Sequence, residues 1–196
     1  MSRKILATFL CGVLCVRHAS GQDKMPTPSA SCSQVSVFER PITSLPSGLQ
    51  KAIRNALKPA INAVIHDPGM GIDNVEWRNA KLNVIQVRGD TQGTGLYAVA
   101  WEHPQFKVNS AIWIVEVKKS GTKNGPPAAR IVVSTGGYGI HVFSGSNELY
   151  PELMFAAKGF REGGGVEGQS GCFRNLGPAY TSVACPPDCA TQLNSR

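Results

Sequence analysis

Between Ser44 and Ala60, the apolar residues Leu45, Leu49, Ala52, Ile53, Ala56, Leu57 and Ala60 recur at spacings of three and four, which places them on one face of a helix. Lys51, Arg54, Asn55 and Lys58 fall on the opposite face, the ordinary solvated side of an amphipathic helix, and Lys58 also complements the dipole at the carboxyl end. Ser47 and Gln50 have the spacing of a capping box, in which each side chain meets an unpaired backbone N–H of the first turn. Pro59 lacks the N–H that the helical ladder requires, so the regular helix is predicted to end near Lys58 or to kink there.

After the turn composition His66-Asp67-Pro68-Gly69 the period changes from helical to alternating. Strands are predicted over Val75 to Val87 with a break near Asn79, then Leu96 to Trp101, Ala111 to Lys118, Arg130 to Thr135 and Gly139 to Phe143. Tyr150 to Ala157 reads as a strand or a short helix, and Cys172 to Cys185 as a hairpin turning near Gly177-Pro178. The connections are too short to hold crossover helices, so neighbouring strands pair antiparallel. Ala111 to Val117 is apolar on both faces, the mark of a central strand covered on both sides. Gly136, Gly137 and Gly139, interrupted by Tyr138, read as a bulge or tight bend. The predicted class is α+β, an N-terminal amphipathic helix packed on a mainly antiparallel sheet of about five to seven strands. A helix followed by a meander resembles cystatin-like folds and small periplasmic inhibitor proteins in element order alone.

The first 21 residues have another pattern. Arg3 and Lys4 precede a 12-residue apolar run from Ile5 to Val16, and Ala19-Ser20-Gly21 supplies small residues before a cut. That run is too short to cross roughly 30 Å of hydrocarbon as a helix, so residues 1–21 are predicted to be a signal peptide. Neither Cys11 nor Cys15 follows a small residue, as a lipidation site would require; each follows a leucine. A Pro-, Ser- and Thr-rich extended leader over 22–36 and a single α+β domain over 37–196 complete the predicted organisation.

Composition then narrows the class. A chain of 196 residues with 42% hydrophobic and 17% charged residues is neither disordered, collagenous nor coiled-coil. The formal charge of +7 invites an electrostatic partner, but Arg3, Lys4 and Arg17 belong to the predicted signal. Seventeen basic residues then face 13 acidic ones, leaving +4, and nucleic acid is not an expected partner of an exported chain so charged. Four cysteines remain, Cys32, Cys172, Cys185 and Cys189. In an oxidising compartment they predict two disulfides with three possible connectivities, Cys185–Cys189 closing on itself with Cys32 tied to Cys172 among them. Zinc is the rival reading, but their spacing is not that of paired Cys-x-x-Cys knuckles, so no metal is expected.

The search for chemistry yields no catalytic set. His66, His103 and His141 come from three separated segments and form no His-x-x-x-His pair. Neither a Gly-x-Ser-x-Gly elbow nor a Walker loop is present, and Gly163 to Gly168 matches the dinucleotide pattern without its βαβ frame, so no cofactor is expected. Among the carboxylates Glu102 and Glu116 stand out because they lie in strand-like segments rich in Trp and Val; the plain account makes Glu102 a strand end and Glu116 an edge or solvent-facing position. For recognition, the natural exposed loops are the glycine-rich stretch 159–171, with Lys158, Arg161, Glu162 and Glu167, and the basic turn with Lys118, Lys119 and Lys123. Tyr97, Trp101, Trp113 and Tyr138 are candidates to line a groove, although three tryptophans in a core of this size are expected as packing. The resulting expectation is a secreted or periplasmic binding module without a stable membrane anchor. Its partner would be an unknown protein, as for an inhibitor, or an envelope polymer, the latter docking on the basic helix face. A small secreted hydrolase with an unlocated carboxylate or histidine is the alternative.

Overall fold

The computed structural model describes residues 35–66, 76–89, 95–102, 110–121, 125–143, 150–160, 166–176, 179–186 and 189. The predicted signal peptide, Cys32, His103, Lys123, Arg161 and Glu162 lie outside them. The order begins with β1 (Ser36–Val37) and the helix α1 (Ser47–Ile65), followed by β2 (Leu82–Gly89), β3 (Gly95–Trp101), β4 (Ser110–Lys118) and β5 (Ala128–Gly137). It ends with β6 (Gly139–Val142), β7 (Leu153–Phe160), β8 (Val166–Asn175) and β9 (Tyr180–Val183). The α+β class stands, but where a single sheet was expected, the nine strands among the described residues divide into a four-stranded sheet, β2-β3-β4-β5, and a five-stranded sheet, β1-β6-β7-β8-β9. Every pairing is antiparallel.

Alternation along β3 and β4 builds the layers. Tyr97, Val99 and Trp101 with Trp113, Val115 and Val117 pack against Ile53, Leu57, Ile61 and Ile65 of α1. The intervening Leu96, Ala98 and Ala100 with Ile112 and Ile114 pack against Ile140, Leu153 and Phe155 of the second sheet. Helix, four-stranded sheet and five-stranded sheet are therefore stacked in that order, and β4 is covered on both faces as its composition predicts.

The passage from one sheet to the other occurs at Tyr138, between β5 and β6. Its N–H donates to the Ala156 carbonyl at 2.8 Å. A Cβ at Gly137 would lie 2.4 Å from that same oxygen, and one at Gly139 would lie 2.3 Å from Val35 Cγ1. Glycine is needed here because two backbones approach closely, so the expected bend is the corner of a two-sheet stack.

Two expectations for α1 are corrected. The capping box does not form: Pro46 takes the N-cap position without a side-chain cap, and Gln50 Nε2 instead donates back to the carbonyls of Leu45 at 2.6 Å and Thr43 at 3.1 Å. Nor does the helix end at Pro59, which lies inside it on the exposed face. An interior proline costs about 3 kcal/mol. Burying Ile61 and Ile65 against the sheet contributes about 1.5–3 kcal/mol each, enough to carry the helix through.

The stretch 159–171 is also corrected. It is mostly strand, with β7 running to Phe160 and β8 starting at Val166. Leu153, Met154, Phe155 and Ala156 of β7 are buried, and pairing with so firmly held a strand outweighs the poor strand propensity of the glycines in β8. The predicted C-terminal hairpin forms between β8 and β9, with Cys172 opposite Val183 and disulfide-bonded to Cys185. This pairing differs from the Cys32–Cys172 connectivity considered above. A loop of 13 residues contributes about 3 kcal/mol by chain entropy. Cys189 is likewise disulfide-bonded and packs with Met154 and Cys172 on the outer face of the second sheet.

Candidate functional site

The end of the four-stranded sheet that carries the β2–β3 and β4–β5 connections concentrates the unusual polar groups. Glu116, in β4, is paired with Leu96 on one side and Arg130 on the other, and alternation turns it toward the second sheet. It is the sole charged residue buried among those described, with its side chain 1% exposed. Arg130 Nε donates to Oε2 at 2.5 Å, Lys118 Nζ lies 3.2 Å from Oε1, and the Tyr150 hydroxyl donates to Oε1. Burial pushes the Glu116 pKa up, but the hydrogen bonds from Tyr150, Arg130 and Lys118 outweigh it and hold the carboxyl below its ordinary value. The bond to Glu116 in turn raises the Tyr150 pKa. Tyr150 precedes β7, so this ion cluster ties the two sheets together across 34 residues of sequence. The edge-on contact of Tyr150 with Tyr180, and the Tyr180 hydroxyl donating to the Pro151 carbonyl at 2.9 Å, extend the lock.

On the opposite face, two concavities flank the start of α1. One, of about 400 Å³, is lined by Leu49, Gln86, Tyr97, Val117, Lys119 and Pro127 together with Gly89 and Gly95. The other, of about 430 Å³, lies between Gly48, Lys51, Ala52 and Asn55 of α1 and Pro126, Pro127 and Ala129 at the entry to β5. Pro127 belongs to both.

The residues singled out in the sequence are dispersed by the fold. Glu102 is exposed just beyond β3, at the far end of the β3–β4 ladder from Glu116. The plain reading of Glu102 holds; that of Glu116 as edge or solvent-facing does not, because Tyr150 and the second sheet cover it. His66 follows α1 and is exposed, whereas His141 sits in β6 of the second sheet, edge-on to Phe143 at 5.0 Å. Among the described residues no three His, Cys, Asp or Glu side chains gather at metal-binding distance. Lys158 pairs with Gly168, its ammonium 5.7 Å from the Tyr138 ring centroid, and Glu167 pairs with Gly159, so the two do not oppose each other across the ladder. Lys118 is engaged with Glu116, and Lys58 sits over the Trp77 ring at 5.0 Å. Trp101 and Trp113 are packing residues of the helix layer, as expected, and Tyr97 packs there while also lining the first cleft.

Sequence reasoning missed Tyr150 and Arg130, whereas Tyr97, a groove candidate, does line a cleft. A carboxylate alternating into an apolar strand was the available signal for a buried ion cluster, since such a charge needs partners from elsewhere in the chain. Comparison with known proteins found no family model, no curated protein and no solved structure that matches this chain.

Proposed function

We propose that the protein is an exported binding module that recognises another protein, or an envelope polymer, through the end of the sandwich where α1 begins. The observation carrying this reading is the pair of adjacent clefts sharing Pro127, rimmed by Lys51 and Lys119, with no carboxylate among the described lining residues. Clefts with apolar walls and a few placed polar groups are the usual form of a recognition site. Helix α1 and strands β2, β3 and β4 form one side of these walls and the β4–β5 connection the other. Export is supported by the signal-like residues 1–21 and by the Cys172–Cys185 disulfide, a bond that persists in oxidising compartments. No helix of the described residues is long and apolar enough to cross a membrane. The hydrolase alternative finds less support, because Glu116 is ionised and engaged by three donors, leaving it no proton to give as a general acid.

Charge reversal at both rims tests the reading. Cross-linking and capture from the extracellular or envelope fraction should recover a partner with the wild-type chain and lose it with the Lys51→Glu, Lys119→Glu double variant. Equal capture by both, or capture lost instead on replacing Lys158, would remove this surface from consideration.

A further inference from the structure

Of the two clefts, the one beside β3 reaches a polar atom that comes from the interior. Tyr97 is 8% exposed, and its side chain leans along β3 over Gly95. A Cβ on Gly95 would lie 2.5 Å from Tyr97 Cε2 and 3.0 Å from the hydroxyl oxygen, so glycine leaves the space in which that tip lies. The hydroxyl thereby opens on a floor paved by Gly89 and Gly95, which face each other across the ladder. None of the described residues hydrogen-bonds it; the influences on Tyr97 are burial, which raises its pKa, and the charge of Arg40, which opposes this. A phenol so placed stays protonated at neutral pH and presents a donor.

Among the described residues, the charges around this donor have one sign. Lys119 lines the cleft, and Arg40 acts on the hydroxyl from its own side. The helix α1 opens beside it at Leu49, with no side-chain cap and no acidic residue in its first turn, so the positive end of its dipole is not neutralised there. Leu49, Val117 and Pro127 supply apolar wall, beside the uncharged polar Gln86 and Ser120. We infer that this cleft binds a small organic carboxylate, its anionic group held by the Tyr97 hydroxyl and the Lys119 ammonium and its hydrocarbon part laid against Leu49, Val117 and Pro127. A single ammonium and one phenol suit a monoanion, and the apolar walls favour a hydrocarbon body over a bare inorganic anion. This deepens the reading of that end as the recognition surface and rests on it.

The test is a titration of the full folded chain, carrying ¹³C-labelled tyrosine rings, with sodium hexanoate, 1-hexanol and sodium phosphate, alongside calorimetry. Hexanoate should give a saturable shift of the Tyr97 ring resonance with a dissociation constant on the order of millimolar. Hexanol and phosphate should each bind about tenfold more weakly or not at all. Tyr97→Phe, shown folded by its circular dichroism, should weaken hexanoate binding about tenfold, as expected for one hydrogen bond to a charged group. Lys119→Gln, a surface change that keeps the test available should Tyr97→Phe unfold, should also weaken it, and Lys51→Gln in the neighbouring cleft should not. Absence of saturation, equal affinity for hexanoate and hexanol, or indifference to both Tyr97→Phe and Lys119→Gln would overturn the inference. Because no partner macromolecule takes part, such a failure beside a partner still lost on charge reversal would sink this ligand alone and leave the surface standing.

Discussion

Glu116 and Tyr97 stand one step apart in the β3–β4 register, at the same end of the same sheet and on opposite faces, and their polar atoms meet opposite circumstances. Glu116 faces the second sheet, is removed from water and receives three donors drawn from β4, β5 and the segment before β7. Tyr97 faces the helix, is almost as deeply buried, and brings its hydroxyl out at a cleft where no donor or acceptor of the described residues meets it. A buried polar group that is fully partnered makes structure, because removing it leaves its partners short. One whose polar tip reaches an accessible cleft can be satisfied by water in the free protein and by a ligand in the bound one.

The largest effect expected from this contrast is at the ion cluster. Glu116→Ala strips three donors of their acceptor and leaves a void, and should lower stability by about 2–4 kcal/mol in chemical denaturation. The upper end is not expected, because Arg130 and Lys118 are each 57% exposed and water takes over part of their solvation. A loss under about 0.5 kcal/mol would show that the cluster does not hold the sheets together.

Next comes the same chemical deletion made on both faces. Tyr150→Phe removes a hydrogen bond to a buried carboxylate and should cost about 1.5–3 kcal/mol. Acid unfolding sharpens the point. Glu116 titrates in the folded chain below its ordinary value of 4.5, so its contribution to stability is fully present above that pH and is lost as pH falls through the folded value. Wild type should therefore lose stability more steeply below pH 4.5 than Glu116→Gln, and parallel profiles for the two would contradict the assignment. The smallest change is expected at Tyr97→Phe, within about 0.5 kcal/mol of wild type because no hydrogen bond to a described residue is lost. If Tyr97→Phe cost as much as Tyr150→Phe, the hydroxyl would have a structural partner and the comparison would fail.

Much of the fold was legible in the chain. The spacing of Ala52, Ile53 and Leu57 located α1, the two apolar faces of β4 announced a covered central strand, and Gly136-Gly137-Tyr138-Gly139 marked a bend. Where the reading went astray, packing overrode a local rule. Pro59 was tolerated because Ile61 and Ile65 are buried beyond it, and Gly168 and Gly171 became strand because β7 is a buried template. The candidate site was far less legible. Glu116 was visible as an oddity and Tyr97 as a groove candidate, but Tyr150 lies 34 residues away and no local pattern joins it to Glu116.

By itself the sequence determined what depends on neighbours along the chain: which segments are amphipathic helix or alternating strand, which strands pair as hairpins, where the backbone must bend, and which cysteines are available for cross-linking. The tertiary structure alone decided that the strands part into two sheets at Tyr138, that Cys172 joins Cys185, that a glutamate is enclosed by three donors, and that a tyrosine tip opens on a cleft. Periodicity is set by backbone geometry within a few residues, whereas enclosure and accessibility are properties of surfaces that meet only after the chain has folded back on itself.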